Sequence, residues 1–197
     1  MHKVEPQVFL VGETKVVEEG LQEYLKTVGV PEWQTDAPSD SERLVEVMGR
    51  LCYRSFKPGL NANVTRVREG NDVYIANIVK VKHGSVIEHP QVNFIFHNVS
   101  RVFTHELVRH RVGVGISQES LRFVRLDDLG QWLPTVIRED EKAVEIFTQT
   151  FEQLEQLQLK LAEHFKLDDD GVPFHHKKIV TSAMRRIAPI GLATSIG

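Results

Sequence analysis

The sequence predicts an α+β fold built as one domain, with a central, mostly antiparallel sheet flanked by helices and one long helix near residues 138–166. Three observations carry this. The 197 residues are 41% hydrophobic and 26% charged, enough apolar surface for one sizeable core. Apolar residues alternate in two short runs, near the start and around Phe94, whereas elsewhere they recur every three or four positions. Finally, Val144, Phe147, Phe151, Leu154, Leu157, Leu161 and Phe165 form one helical stripe, opposite a face rich in glutamate and glutamine.

Taken in order, QVFLVGETKV alternates as a strand over 7–17, and residues 17–28 read as a short helix closed by Gly29 and Pro31. Pro38, Ser39 and Asp40 are helix-start chemistry for a helix over 41–53 that aligns Leu44, Val47, Met48 and Leu51. A further helix over 72–81 turns Tyr74, Ile75, Ile78 and Val79 inward. It runs into HGSVIEHP, which is too rich in turn residues to be regular. Residues 91–97 alternate as a central strand leading into a helix that carries Arg101 to Arg109. After the long helix, LDDDGVP breaks the chain, a last helix spans about 174–187, and residues 192–196 begin a strand. There is no internal repeat and no low-complexity tract.

The densest chemistry lies between Val99 and Leu126, VSRVFTHELVRHRVGVGISQESLRFVRL. Arginine forks bind phosphate bidentately, and this stretch has five arginines and no lysine. Val102, Phe103, Leu107 and Val108 cover enough of its helix to imply burial on more than one side, so the charges beside them need partners. A phosphorylated ligand fits that composition better than a solvated basic face. The five-residue spacing of His105 and His110 separates them by about 140° on a helix, so they cannot share a face as a zinc-binding pair does, and no metal site is expected.

Charge and cysteine content set the outer limits. A net charge of -3 argues against a general nucleic-acid binder, since such a protein needs a basic surface. A single cysteine, Cys52, excludes an intramolecular disulfide and favours the cytoplasm. No apolar run approaches the roughly 20 residues that cross a bilayer, so no membrane partner is expected.

Arg109, His110 and Arg111, followed after eight residues by Ser120, resemble the signature of the flavin-dependent thymidylate synthases. HGSVIEHPQVNFIFHNVSRVFTHELVRHR is similar to that family's lead-in, MRRIAPIGLAT to its arginine-proline segment, and RLCYRSF at 50–56 adds a fourth ordered match. The resemblance implies methylation of 2'-deoxyuridine 5'-monophosphate (dUMP) at C5, with methylenetetrahydrofolate giving the carbon and FAD, reduced by NADPH, giving the hydride. It places His83, Ser85, Glu88, Arg109, His110 and Arg111 at the flavin, with Cys52 or Ser55 nearby. It places Glu106, Leu107, Gln118, Ser120, Arg122 and Arg185 at the nucleotide. It also implies a homotetramer with sites between subunits. Ser120 is expected to seat the substrate rather than attack it, because no base and orienting acid can be read beside it. A catalytically degenerate relative that binds FAD or nucleotide without turnover is the alternative.

Three features depart from the family pattern. Glutamine is common there where this chain has Glu106. Eight rather than seven residues separate Arg111 from Ser120. The sequence stops at Gly197, before the region in which the family has further flavin-binding asparagines and a pyrimidine-activating arginine, so the natural protein is expected to continue.

Overall fold

The computed structural model describes residues 1–197. Its α+β architecture agrees with the sequence expectation. In chain order it holds β1 (His2–Lys3), β2 (Gln7–Glu13), α1 (Glu18–Thr27), α2 (Asp40–Tyr53), α3 (Asn71–Lys80), β3 (Val92–Ser100), α4 (Arg101–Leu107), β4 (Gly130–Gln131), α5 (Thr135–Arg138), α6 (Glu141–His164), α7 (Phe174–Met184) and β5 (Ala193–Ile196). A three-stranded sheet runs in the order β2-β3-β5, with β3 and β5 antiparallel. A separate parallel pair joins β1 to β4 through His2↔Gly130 and Lys3↔Gln131, and nothing in the sequence pattern foretold it. The chain divides into two compact units, one of residues 10–93 and the other of residues 1–9 with 94–197. No helix is long and apolar enough to cross a membrane.

In the unit of residues 10–93, helix starts follow the capping chemistry. The Ser39 hydroxyl accepts from Glu42 N at 3.2 Å and donates to Glu42 Oε2 at 2.7 Å, a reciprocal cap that fixes the start of α2. Helix α1 ends where Gly29, at φ 78°, lets Val30 N reach back to Leu25 O at 2.8 Å. Leu21, Leu25, Val30, Val47 and Phe56 form one core here, and Val45, Tyr74, Ile78 and Val86 form a second. Val79, expected to face inward, is exposed. Cys52 is exposed as well.

Beneath α2 lies a polar cluster. Glu46 and Arg50 are 2% and 4% exposed, and Arg50 Nε donates to Glu46 Oε1 at 2.8 Å. The other Arg50 nitrogens donate to Ser55 O and Arg68 O, while Asn71 Nδ2 and Thr35 Oγ1 donate to Glu46 Oε2. Every charge is met by partners, which is the condition on which buried ions are tolerated.

In the other unit, the long helix begins at Glu141 rather than 138, because the Asp140 carboxylate accepts from Ala143 N at 3.0 Å and so caps it there. Its buried face is also rotated from the apolar stripe. Phe151, Glu155, Gln158 and Ala162 are buried, whereas Phe147, Leu157 and Phe165 are exposed. Glu155 earns its place by accepting from Leu129 N at 2.7 Å and from the Met1 amino group at 2.6 Å. Leu126, Leu129, Phe151 and Leu192 form a core in this unit. Helix α7 stops at Met184 and continues as one 3-10 turn over Arg185–Ile187, since Pro189 forces Ala188 into an extended conformation.

Candidate functional site

Ser100 caps α4 by accepting from Phe103 N at 3.2 Å, and so sets the phase of the helix that carries Thr104, Glu106 and Leu107. The helix is shorter than expected: it ends at Leu107, and Arg109, His110 and Arg111 follow beyond the cap, all exposed. Burial on two sides is also absent in this chain, where Val102, Phe103 and Val108 are exposed. Thr104 is the residue on α4 that is fully enclosed, at 0% exposure.

Gly113, at φ 73°, lies in the connection beyond the triplet, which then runs along β5. Ser117 N and Gly197 O, and Gly197 N and Ser117 O, pair at 2.8 Å each, Gln118 bridges Ile196, and Glu119 N donates to Ser195 O at 3.0 Å. This extended run fixes Gln118, whose Nε2 donates to Thr104 Oγ1 at 2.8 Å. Ser120 follows immediately. Its Oγ accepts from Arg122 N at 3.3 Å, and its carbonyl accepts from Phe123 N and Val124 N, so the serine organises a turn and has no histidine partner. The histidine–serine contact in this unit is another one, His97 Nδ1 to Ser195 Oγ at 2.8 Å, which joins β3 to β5.

The arginines separate into committed and uncommitted groups. Arg125 holds Asp168 with two bonds of 3.0 Å. Arg186 donates to Ser182 O at 2.8 Å. Arg101 Nη2 donates to Glu119 O at 2.8 Å and reaches Thr194 Oγ1 at 3.4 Å, while its buried Nε has no partner. Burial lowers the Arg101 pKa, the Glu119 carboxylate opposes that shift, and the Arg185 cation adds to it. By contrast, Arg109, Arg111, Arg122 and Arg185 form no ion pair. Their free planar forks suit phosphate groups, so this donor set is compatible with a nucleotide and with the diphosphate of a dinucleotide cofactor.

His83, Ser85 and Glu88 belong to the other unit. Ser85 sits in a 3-10 turn over Gly84–Val86, anchored by the buried Val86, and His83, Ser85 and Glu88 are all exposed. The His83 ring stacks on Tyr53. Clefts of about 410 and 460 Å³ in this unit are lined by residues between Gln22 and Arg43 and between Trp33 and Gly70, and hold none of the three. Thr104, Thr194 and Ser195 were not singled out by sequence reasoning, and Arg101 and Glu119 entered it only as members of the 99–126 stretch. Their role rests on pairing between 117–119 and 195–197, for which neither segment has a local signal.

A family model described as thymidylate synthase complementing protein matches residues 35–197. The flavin-dependent thymidylate synthase of Corynebacterium diphtheriae is 36% identical over 162 residues, covering 80% of this chain and 62% of that protein. That of Mycolicibacterium gilvum is 34% identical over 167 residues, covering 84% and 64%. The chain therefore spans less than two thirds of the length of these relatives. Among solved structures, thymidylate synthase X from Helicobacter pylori with FAD and dUMP matches with a TM-score of 0.55 at 17% identity, over 98% of this chain and 76% of that one. A UMP/dUMP methylase from Streptomyces cacaoi bound with 5-Br dUMP gives 0.59 at 12% identity, over 100% and 73%. At such identities the likeness is one of fold.

Proposed function

Because this chain belongs to the thymidylate synthase complementing protein family, we propose that it acts as a flavin-dependent thymidylate synthase, methylating dUMP at C5 to give dTMP. The observation that carries the reading is the set of guanidinium forks without an ion pair, Arg109, Arg111, Arg122 and Arg185, the first three close in sequence to a 117–119 run fastened on β5. Anionic ligands satisfy such forks, and both the substrate and the cofactor of this reaction carry phosphates.

In this reading Arg109, His110 and Arg111 hold FAD together with His83, Ser85 and Glu88. Glu106, Leu107, Gln118, Ser120, Arg122 and Arg185 hold dUMP. Reduced FAD supplies the hydride that turns the methylene carbon of methylenetetrahydrofolate into the methyl group, and NADPH restores the reduced flavin. The chain's own residues bind and orient. Gln118, held by Thr104, presents an amide. Ser120 seats the nucleotide, since its hydroxyl has no base to activate it. Residues 1–197 act as one family domain, in a homotetramer of the cytoplasm whose sites lie between subunits.

Titration calorimetry with FAD, followed by tritium release from C5-labelled dUMP, tests the assignment. Arg109→Ala or Arg111→Ala is expected to weaken FAD by about 1.5–3 kcal/mol each. A protein with no flavin affinity overturns the reading. FAD and dUMP binding without tritium release would instead identify a degenerate relative.

A further inference from the structure

Glu119 is an exposed carboxylate whose backbone carbonyl is held by Arg101, and the nucleotide reading above gives it no task. Its Oε2 accepts from Ser195 N at 2.8 Å and from Thr194 Oγ1 at 3.2 Å. Its own N–H donates to Ser195 O, and its own carbonyl accepts from Arg101 Nη2 at 2.8 Å. One residue thus ties the run 117–119 to β5 through backbone and side chain together. Thr194, nearly enclosed at 4% exposure, receives Arg101 Nη2 as well, so carboxylate, hydroxyl and guanidinium form one connected group.

The balance of charge around that group is uneven. The charges of Glu119 and Arg185 both act on Arg101, in opposite directions. Two cations and one carboxylate leave a single net positive charge where the loop carrying Gln118, Ser120 and Arg122 departs. A carboxylate in that position both relieves repulsion between the arginines when no ligand is present and repels an arriving phosphate. Both effects diminish the gain from binding a phosphate.

Resting on the nucleotide assignment above, we propose that Glu119 is a positioning residue and internal counter-anion: its hydrogen bonds fasten the Gln118–Ser120 run to β5, and its charge limits how strongly the site prefers a phosphorylated ligand over the unphosphorylated nucleoside. The two roles separate chemically. Glu119→Gln keeps an oxygen that accepts from Ser195 N–H but removes the charge. Glu119→Asp keeps the charge and shortens the reach, and Glu119→Ala removes both.

The experiment measures dissociation constants of dUMP and of deoxyuridine for wild type and the three variants of the full chain, by calorimetry at two salt concentrations. For Glu119→Gln the ratio of deoxyuridine to dUMP constants should rise about fivefold at low salt and by less at high salt, with deoxyuridine binding itself unchanged. Glu119→Asp should keep the wild-type ratio while weakening both ligands, and should melt below Glu119→Gln. Should the glutamine variant fail to fold, an unchanged ratio in the aspartate variant beside a raised one in the alanine variant carries the same test. An unaltered ratio in every charge-removing variant overturns the proposal. A wild type that binds dUMP no better than deoxyuridine overturns the phosphate-site reading first, and this proposal with it.

Discussion

The Tyr53 hydroxyl lies 2.6 Å from Nδ1 of His83, with the two rings stacked at 5.6 Å between centroids and 19° between planes. The same oxygen is 3.2 Å from Nε2, so the shorter contact is the hydrogen bond; a phenol is a stronger acid than a neutral imidazole N–H and donates to Nδ1, which leaves Nε2 carrying the proton. Nitrogen-15 spectra should therefore show His83 in the Nε2–H form near pH 8, and Tyr53→Phe should mix the two tautomers. If His83 borders the flavin as proposed, that variant should also weaken FAD about fivefold, the scale of one hydrogen bond. An Nδ1–H imidazole in the unaltered protein would refute the assignment.

The buried pair of Glu46 and Arg50 makes a stability prediction. Removing one member leaves the other charge enclosed without its counter-ion, so Glu46→Ala or Arg50→Ala should cost about 3–5 kcal/mol in chemical denaturation. The double variant Glu46→Leu with Arg50→Met should cost less than the sum of the two single changes, because it removes both charges at once. Additive losses would mean that the pair is not coupled.

Tyr74 packs its ring 4.6 Å from the Arg50 guanidinium, but its buried hydroxyl has no hydrogen-bond partner. Burial pushes its pKa up from 10.0 to about 12. The folded state therefore keeps a proton that the unfolded chain releases, and between those two values stability must fall as pH rises. Below pH 10 this contribution is fully present. Tyr74→Phe keeps the ring over Arg50, removes the orphaned hydroxyl and abolishes that slope, so its stability near neutral pH should equal or exceed that of the parent. Equal loss of stability in both proteins between pH 10 and 12 would show that Tyr74 is not the group responsible.

These residues also show where sequence reading succeeds and where it stops. Ser39 is legible as a helix start because a capping side chain acts on an atom only three residues away, whereas Asp140, which caps the long helix by the same chemistry, is passed over for a start at 138. The flavin-like triplet and Ser120 are legible as a motif for a similar reason, being close in sequence. Glu119 is not legible, since its partners Thr194 and Ser195 lie 75 and 76 residues away. The same limit hid Glu155, whose partner Met1 is 154 residues distant and which placed a carboxylate on the buried face of α6. Periodicity located the helices but set their buried faces wrongly wherever a polar residue was enclosed to serve a distant atom.

In β2, Val8, Phe9, Leu10 and Val11 are all about half exposed in the single chain. Successive strand residues point to opposite faces, so Val8 and Leu10 share one face and Phe9 and Val11 share the other. A strand apolar on both faces is the pattern of one covered on both sides, and contiguous exposed apolar surface of this kind marks an interaction surface. Val102, Phe103 and Val108, around α4, are likewise uncovered. The proposed homotetramer supplies the cover with further copies of this chain. Light scattering should then find a tetramer, and Leu10→Lys or Val11→Lys should lower its mass according to which face of β2 meets a neighbour. Because the flavin site is proposed to lie between subunits, the variant that dissociates should lose FAD in parallel. A monomeric parent protein that retains FAD, or two lysine variants that both keep the parent mass, would remove β2 from the interface.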